Sequence, residues 1–132
     1  MLYVGGYSNT KNHGIIMCLC TAITCFAWYV IYTSKEMKQK EHLTTYHGQL
    51  GAAVMVANLG LSVFGLAGLH PDFGVLRTNK LVRFMHKWSG RVIVGLSWVV
   101  CVLGFVRMSD DNMLYNAAYT IPLIIFGGYF LL

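Results

Sequence analysis

Charge is what this chain of 132 residues has least of. Asp, Glu, Lys and Arg make up 11% of it, less than half the share usual in a soluble domain. Only five residues are acidic and two are proline. These shortages exclude a soluble enzyme, a disordered segment and a coiled coil. The four cysteines do not make a small disulfide scaffold. Cys18, Cys20, Cys25 and Cys101 all fall inside apolar runs, where a free cysteine acts as a small hydrophobe. What is abundant is apolar surface: 56% hydrophobic residues and a mean hydropathy of +0.56. The fourteen glycines suit a membrane chain, where glycine lets helices approach closely. A net charge of +5 and a pI near 9.1 would suggest nucleic acid in a polar protein. Here ten Lys and Arg flank apolar runs, so they read as topology signals and no nucleic-acid partner is expected.

Four runs are apolar enough to cross a bilayer: Gly14 to Thr33, Gly48 to Leu69, Trp88 to Val106, and Met113 to Leu132. Arg91 interrupts the third early and Pro122 lies inside the fourth. About 20 apolar residues span the hydrocarbon core as a helix. Barrel strands would alternate and run to about ten residues, which these do not. The predicted fold is therefore an all-α membrane protein, with helices at about 14–33, 48–69, 86–107 and 113–132. Short charged connections join them into an up-down bundle. Residues 1–12 are predicted to be a loop-like leader, with no apolar core or small-residue cleavage site of a signal peptide.

Orientation follows from counting. One side carries Lys11, Arg77, Lys80, Arg83 and Lys87, with Arg91 a turn deeper; the other carries Lys35, Lys38, Lys40 and Arg107, offset by four acids. The more basic side is predicted to be cytoplasmic, with both termini on it. Which membrane the chain occupies stays open.

Histidines carry the chemical signal. His13, His47 and His86 mark the starts of the first three runs, and alternation places His13 and His86 at the same depth on the basic side. Imidazoles from two parallel helices at one depth can ligate opposite faces of a flat metal cofactor such as haem. Gly90, Val94, Ser97, Cys101 and Gly104 follow His86 at helical spacing; Gly51, Asn58 and Gly65 follow His47. Small residues there leave room for a ring, but they also serve bare helix contact. A histidine at the membrane boundary is equally an ordinary interfacial residue. Metal or proton transport also uses intramembrane histidine, usually paired with an acid, and no Asp or Glu occurs in the four runs. His42 and His70 lie in charged loops, and His70-Pro71 predicts a helix stop.

The segments His42-Leu43-Thr44-Thr45-Tyr46-His47-Gly48-Gln49 and Lys80-Leu81-Val82-Arg83-Phe84-Met85-His86-Lys87-Trp88-Ser89-Gly90 resemble the starts of the fourth and fifth helices of cytochrome b561 proteins. The His13, His47 and His86 spacings are similar too, and the resemblance covers residues 13–132 as helices three to six. It implies a six-helix protein with two b haems that passes electrons from cytoplasmic ascorbate to ferric iron or monodehydroascorbate, a transmembrane ferrireductase. In that pattern His13 and His86 ligate the cytoplasmic haem and His47 the far-side haem. The far-side partner would come from the family's second helix, for which the sequence has no counterpart, so a second haem is expected only if that helix is supplied. A non-catalytic haem-binding subunit and a histidine-based metal or proton transporter are the alternatives.

Two histidine ligands would fill both axial positions of the iron, so the chemistry implied is electron transfer. Ascorbate is an anion, and Lys80, Arg83, Lys87 and Arg91 supply a basic field on the side of His13 and His86; the same residues also serve as lipid-headgroup anchors. His42 with Lys40 is the candidate acceptor surface opposite. Membrane lipid is the expected environment, and a homodimer stays open.

Overall fold

The computed structural model describes residues 6–108 together with 117, 118 and 121. Three helices follow one another: α1 (Tyr7–Met37), α2 (Tyr46–Leu69) and α3 (Lys80–Met108). Each contains a stretch long and apolar enough to cross a membrane. In lipid a spanning segment must satisfy its own backbone, which a helix does internally. The described residues are all-α. The predicted fourth helix, Met113 to Leu132, lies outside them apart from residues 117, 118 and 121, which are helical.

All three helices start earlier than their apolar runs. α1 begins at Tyr7, so residues 7–12 are helix and not the loop-like leader expected of them. Polar residues end an apolar run without ending a helix, which continues into the interface. α2 begins at Tyr46 because Thr45, in extended conformation, caps it: its Oγ1 accepts from the Gly48 amide at 3.1 Å. α3 begins at Lys80 because the Asn79 side chain accepts from the amides of Leu81 and Val82 at 3.0 and 3.2 Å. His13 and His86 therefore lie in the second turn of their helices, whereas His47 is the second residue of its own.

The helix ends are equally specific. After α1 the chain reverses at Gln39, with a φ of 49°. The amides of Gln39 and Lys40 return to the carbonyls of Glu36 and Lys35, both at 3.0 Å, closing a left-handed C-terminal cap. α2 stops at Leu69 with His70-Pro71, as the sequence predicts. The loop then folds tightly over the helix end: the amides of Gly74 and Leu76 donate to the carbonyls of His70 and Gly68, both at 2.8 Å. A Cβ at Gly74 would lie 2.5 Å from the His70 backbone nitrogen, so only glycine fits.

α2 is the central helix. It packs against α1 on one flank and α3 on the other, while α1 and α3 share no packed segment among the described residues. Val54 of α2 and Thr21 of α1 are buried at 8% and 9% exposure, whereas Ile15, Ile16, Leu19, Ile23 and Phe26 of α1 point outward. Outward apolar side chains are at no disadvantage in a lipid environment, where packing and polar contacts drive helix association. Thr21 meets Ser62 of α2 hydroxyl to hydroxyl at 2.8 Å, halfway along α1.

Replacing Thr21 by Val, or Ser62 by Ala, is expected to weaken the α1–α2 contact by about 0.6 kcal/mol each. The double variant should be little worse than either single one. Reversible unfolding in detergent micelles, read as a double-mutant cycle, checks this.

Candidate cofactor site

His13 and His86 face one another across the open side of the bundle. Their ring centres are 6.5 Å apart and their planes stand at 88°. This meeting occurs between the two helices that share no packed segment among the described residues, so at this level α1 and α3 meet through the two rings. A metal bound by an imidazole nitrogen lies about 2 Å from it, and with the width of the rings two such ligands have centres roughly 6 Å apart. The observed separation matches that requirement. His86 is half-buried and its Nδ1, screened from solvent, has no hydrogen-bond partner. Its ring lies against Gly65 of α2, where a Cβ would come within 2.8 Å of the imidazole Cε1. Spacing, an unsatisfied ring nitrogen and a glycine cradle together fit a planar group held between two histidines. Among the described residues there is no cluster of three or more metal-ligating side chains.

His47 stands at the other end of α2. Its Nδ1–H donates to the Val100 carbonyl of α3 at 2.9 Å, which fixes the tautomer and leaves Nε2 with its lone pair free. Its ring rests on Gly104, where a Cβ would approach Cε1 to 2.9 Å. The structure thus joins His13 with His86 and keeps His47 apart, roughly 27 Å along the helix axis by the rise of about 1.5 Å per residue.

The remaining candidates divide. Lys80, Arg83 and Lys87 are exposed and follow one another at three- and four-residue spacing, so they share the outer face of the first turns of α3. Arg91 lies over the Trp88 ring at 5.1 Å, a cation–π contact that draws it toward the helix surface. His42 is tied down at the opposite face: it stacks on Tyr32 at 4.5 Å, and its Nε2 meets Glu36 Oε1 at 2.6 Å. His70 stacks on Phe73 at 4.0 Å, and its Nδ1 accepts from the Asp72 amide, so it shapes the loop.

A latch near His13 has no signal in the sequence. The Tyr7 hydroxyl donates to Asp72 Oδ1 at 2.5 Å, and Lys11 Nζ pairs with Asp72 Oδ2 at 3.3 Å. Tyr7 and Lys11 sit one turn apart on α1, while Asp72 lies in the loop between α2 and α3. Arg77 donates to the Asp72 carbonyl at 2.7 Å and fixes the loop. The latch anchors the first turns of α1, the helix that carries His13.

Three helices long and apolar enough to cross a membrane, with two histidines brought together from the outer pair, define an integral membrane helix bundle. Residues 6–109 match the family model of eukaryotic cytochrome b561, and the chain belongs to that family. Its members carry electrons across membranes on haem b, as transmembrane oxidoreductases. Neither the curated proteins nor the solved structures yield a match to the chain.

The latch makes stability depend on pH. The hydrogen bond from Tyr7 holds the Asp72 carboxyl below its usual range; desolvation opposes it, and Lys11 reinforces it. The folded pKa is below the unfolded one, so this stabilisation is complete above the unfolded value of about 3.9 and is lost as pH falls through the folded value. The Asp72 contribution to the unfolding midpoint in detergent is expected to be flat from about pH 7 to 5 and to fall below about pH 4. Comparing Asp72→Asn with the unaltered chain should show that part of the acid decline removed.

Proposed function

We propose that the chain is a transmembrane electron carrier in which His13 and His86 hold a haem b at the basic face. In this reading ascorbate is the electron donor there, and ferric iron or monodehydroascorbate is the acceptor at the opposite face. The observation that carries it is the 6.5 Å spacing of the two imidazoles, brought together from helices that share no packed segment among the described residues. Bound haem b supplies a one-electron couple whose potential its ligands and their surroundings tune.

The chain's own residues supply the rest. His13 and His86 would hold the haem, which would supply one-electron transfer there. Gly65 leaves room for the His86 ring, and the latch through Asp72 anchors the start of the helix that carries His13. Lys80, Arg83 and Lys87 give the same membrane face a positive field that concentrates an anionic donor. Their orientation toward the cytoplasm follows from the Lys and Arg bias of the connections. His47 offers Nε2 at the far face. A second haem b there needs a further ligand from another helix, since none of the described residues brings a second histidine against it. His42 and Lys40, beside the end of α1, would border the acceptor.

The purified chain, supplied with haem, is expected to show a reduced-minus-oxidised spectrum with a sharp α band that ascorbate elicits. His13→Ala or His86→Ala should abolish the component due to this site. Reversing the charge at Lys80 and Arg83 should slow reduction by ascorbate several-fold at low salt and much less at high salt, where screening shortens the field to about 3 Å at 1 M. Failure to bind haem, or a spectrum indifferent to both histidine changes, would overturn the reading. Haem binding without ascorbate reduction would identify a non-catalytic haem subunit instead.

A further inference from the structure

α2 and α3 share a pattern that local sequence does not advertise. His47, Gly51 and Gly65 lie on α2; His86, Gly90 and Gly104 lie on α3, each thirty-nine positions later. In both helices eighteen residues separate the histidine from the last glycine. That is five turns at 3.6 residues per turn, so histidine and glycine share one helix face. The packing uses these positions reciprocally. The His47 ring lies on Gly104 and the His86 ring on Gly65; Gly51 meets Val100 at 3.5 Å, and Gly90 meets Leu61 at 3.8 Å. Each contact maps onto another when the two helices exchange roles, as a two-fold axis in the membrane plane requires. Gly60 and Gly95, on the same two helices, have nothing within 4 Å of where a Cβ would stand.

We infer that Gly65 and Gly104 are positioning residues, the seats that set the depth and plane of the His86 and His47 imidazoles, and that α2 and α3 are inverted copies of one helix design. The seats act through the rings and touch no substrate. A Cβ within 3 Å of a ring carbon cannot be accommodated without moving the ring or parting the helices. At His47 a moved ring also loses the Val100 carbonyl that fixes its tautomer. The consequence for a bound haem rests on the function proposed above; the seating of the rings does not.

The experiment uses the full chain in detergent micelles without haem, with histidine ring nitrogens labelled for NMR. Gly104→Ala is expected to shift the His47 ring signals and expose its Nδ1 proton to rapid exchange, leaving His86 unmoved. Gly65→Ala should shift His86, with His13 beside it, and leave His47 unmoved. Gly60→Ala and Gly95→Ala, which make the same change in helix propensity, should move neither ring. Should either seat variant fold poorly, the cycle with its histidine decides. Gly104→Ala is expected to be harmless in a His47→Ala background and still harmful in a His86→Ala background, with the converse for Gly65→Ala. Seat variants that shift no ring beyond the controls, or that remain equally harmful in both backgrounds, would overturn the inference. With haem added, Gly65→Ala should weaken binding roughly 10–100-fold, as loss of ligand support does elsewhere. If the unaltered chain binds no haem, the functional reading fails while the ring shifts and the cycle still decide the seats.

Discussion

The close seating of α2 against α3 is the contact on which the other features depend. Lipid gives two apolar helices no hydrophobic reason to associate, so a stable pair needs near backbone approach or polar bonds. This pair has both. Gly51 and Gly90 receive the Val100 and Leu61 side chains, and Gly65 and Gly104 admit an imidazole at either end. One of those imidazoles adds a hydrogen bond to the neighbouring backbone. The histidines are therefore part of the helix interface itself. Their depth in the membrane follows from the register of two helices, and a shift of one residue would rotate a ring off its glycine by about 100°.

α1 is held differently, and the difference creates the site. It packs along α2, through a hydroxyl pair and the Asp72 latch at one end, and meets α3 through the His13 and His86 rings. Between those attachments its backbone runs clear of α3, and the two helices are joined by the His13 and His86 rings. The latch fixes the beginning of α1 through a loop outside the apolar span. Tyr7, Lys11 and Asp72 thus bear on the geometry of the pair although none touches His86.

Much of this was legible in the chain. Uncharged runs of about twenty residues have one stable form in a bilayer, and the three described helices follow them. The parity of helix starts brings His13 and His86 to one side, and the structure sets their rings edge to face. Helix boundaries were read less well, because an apolar run reports where lipid ends and a cap reports where the helix ends. Thr45 and Asn79 mark true starts several residues before the apolar segments. The latch was illegible for another reason: Tyr7 and Asp72 are 65 residues apart, and neither lies in a motif. The glycines were visible as small residues following each histidine on its own helix. Their actual partners are the histidines of the opposite helix, a relation that only antiparallel packing reveals.

The two ends of the α2–α3 pair are alike in shape and unlike in chemistry. Both imidazoles lean on glycine through Cε1, yet His47 gives its Nδ1–H to a carbonyl while the Nδ1 of His86 is buried without a partner. A buried polar group left unbonded costs about 1–3 kcal/mol, so His86 is the less settled of the two. The difference tracks where each ring finds its constraint. His47 is oriented by α3 alone and needs nothing from across the bundle to hold its tautomer. His86 has a steric seat on Gly65, and its other neighbour is the His13 ring. In the proposed reading, a ligand joining those two rings would supply the restraint that His47 already draws from the Val100 carbonyl.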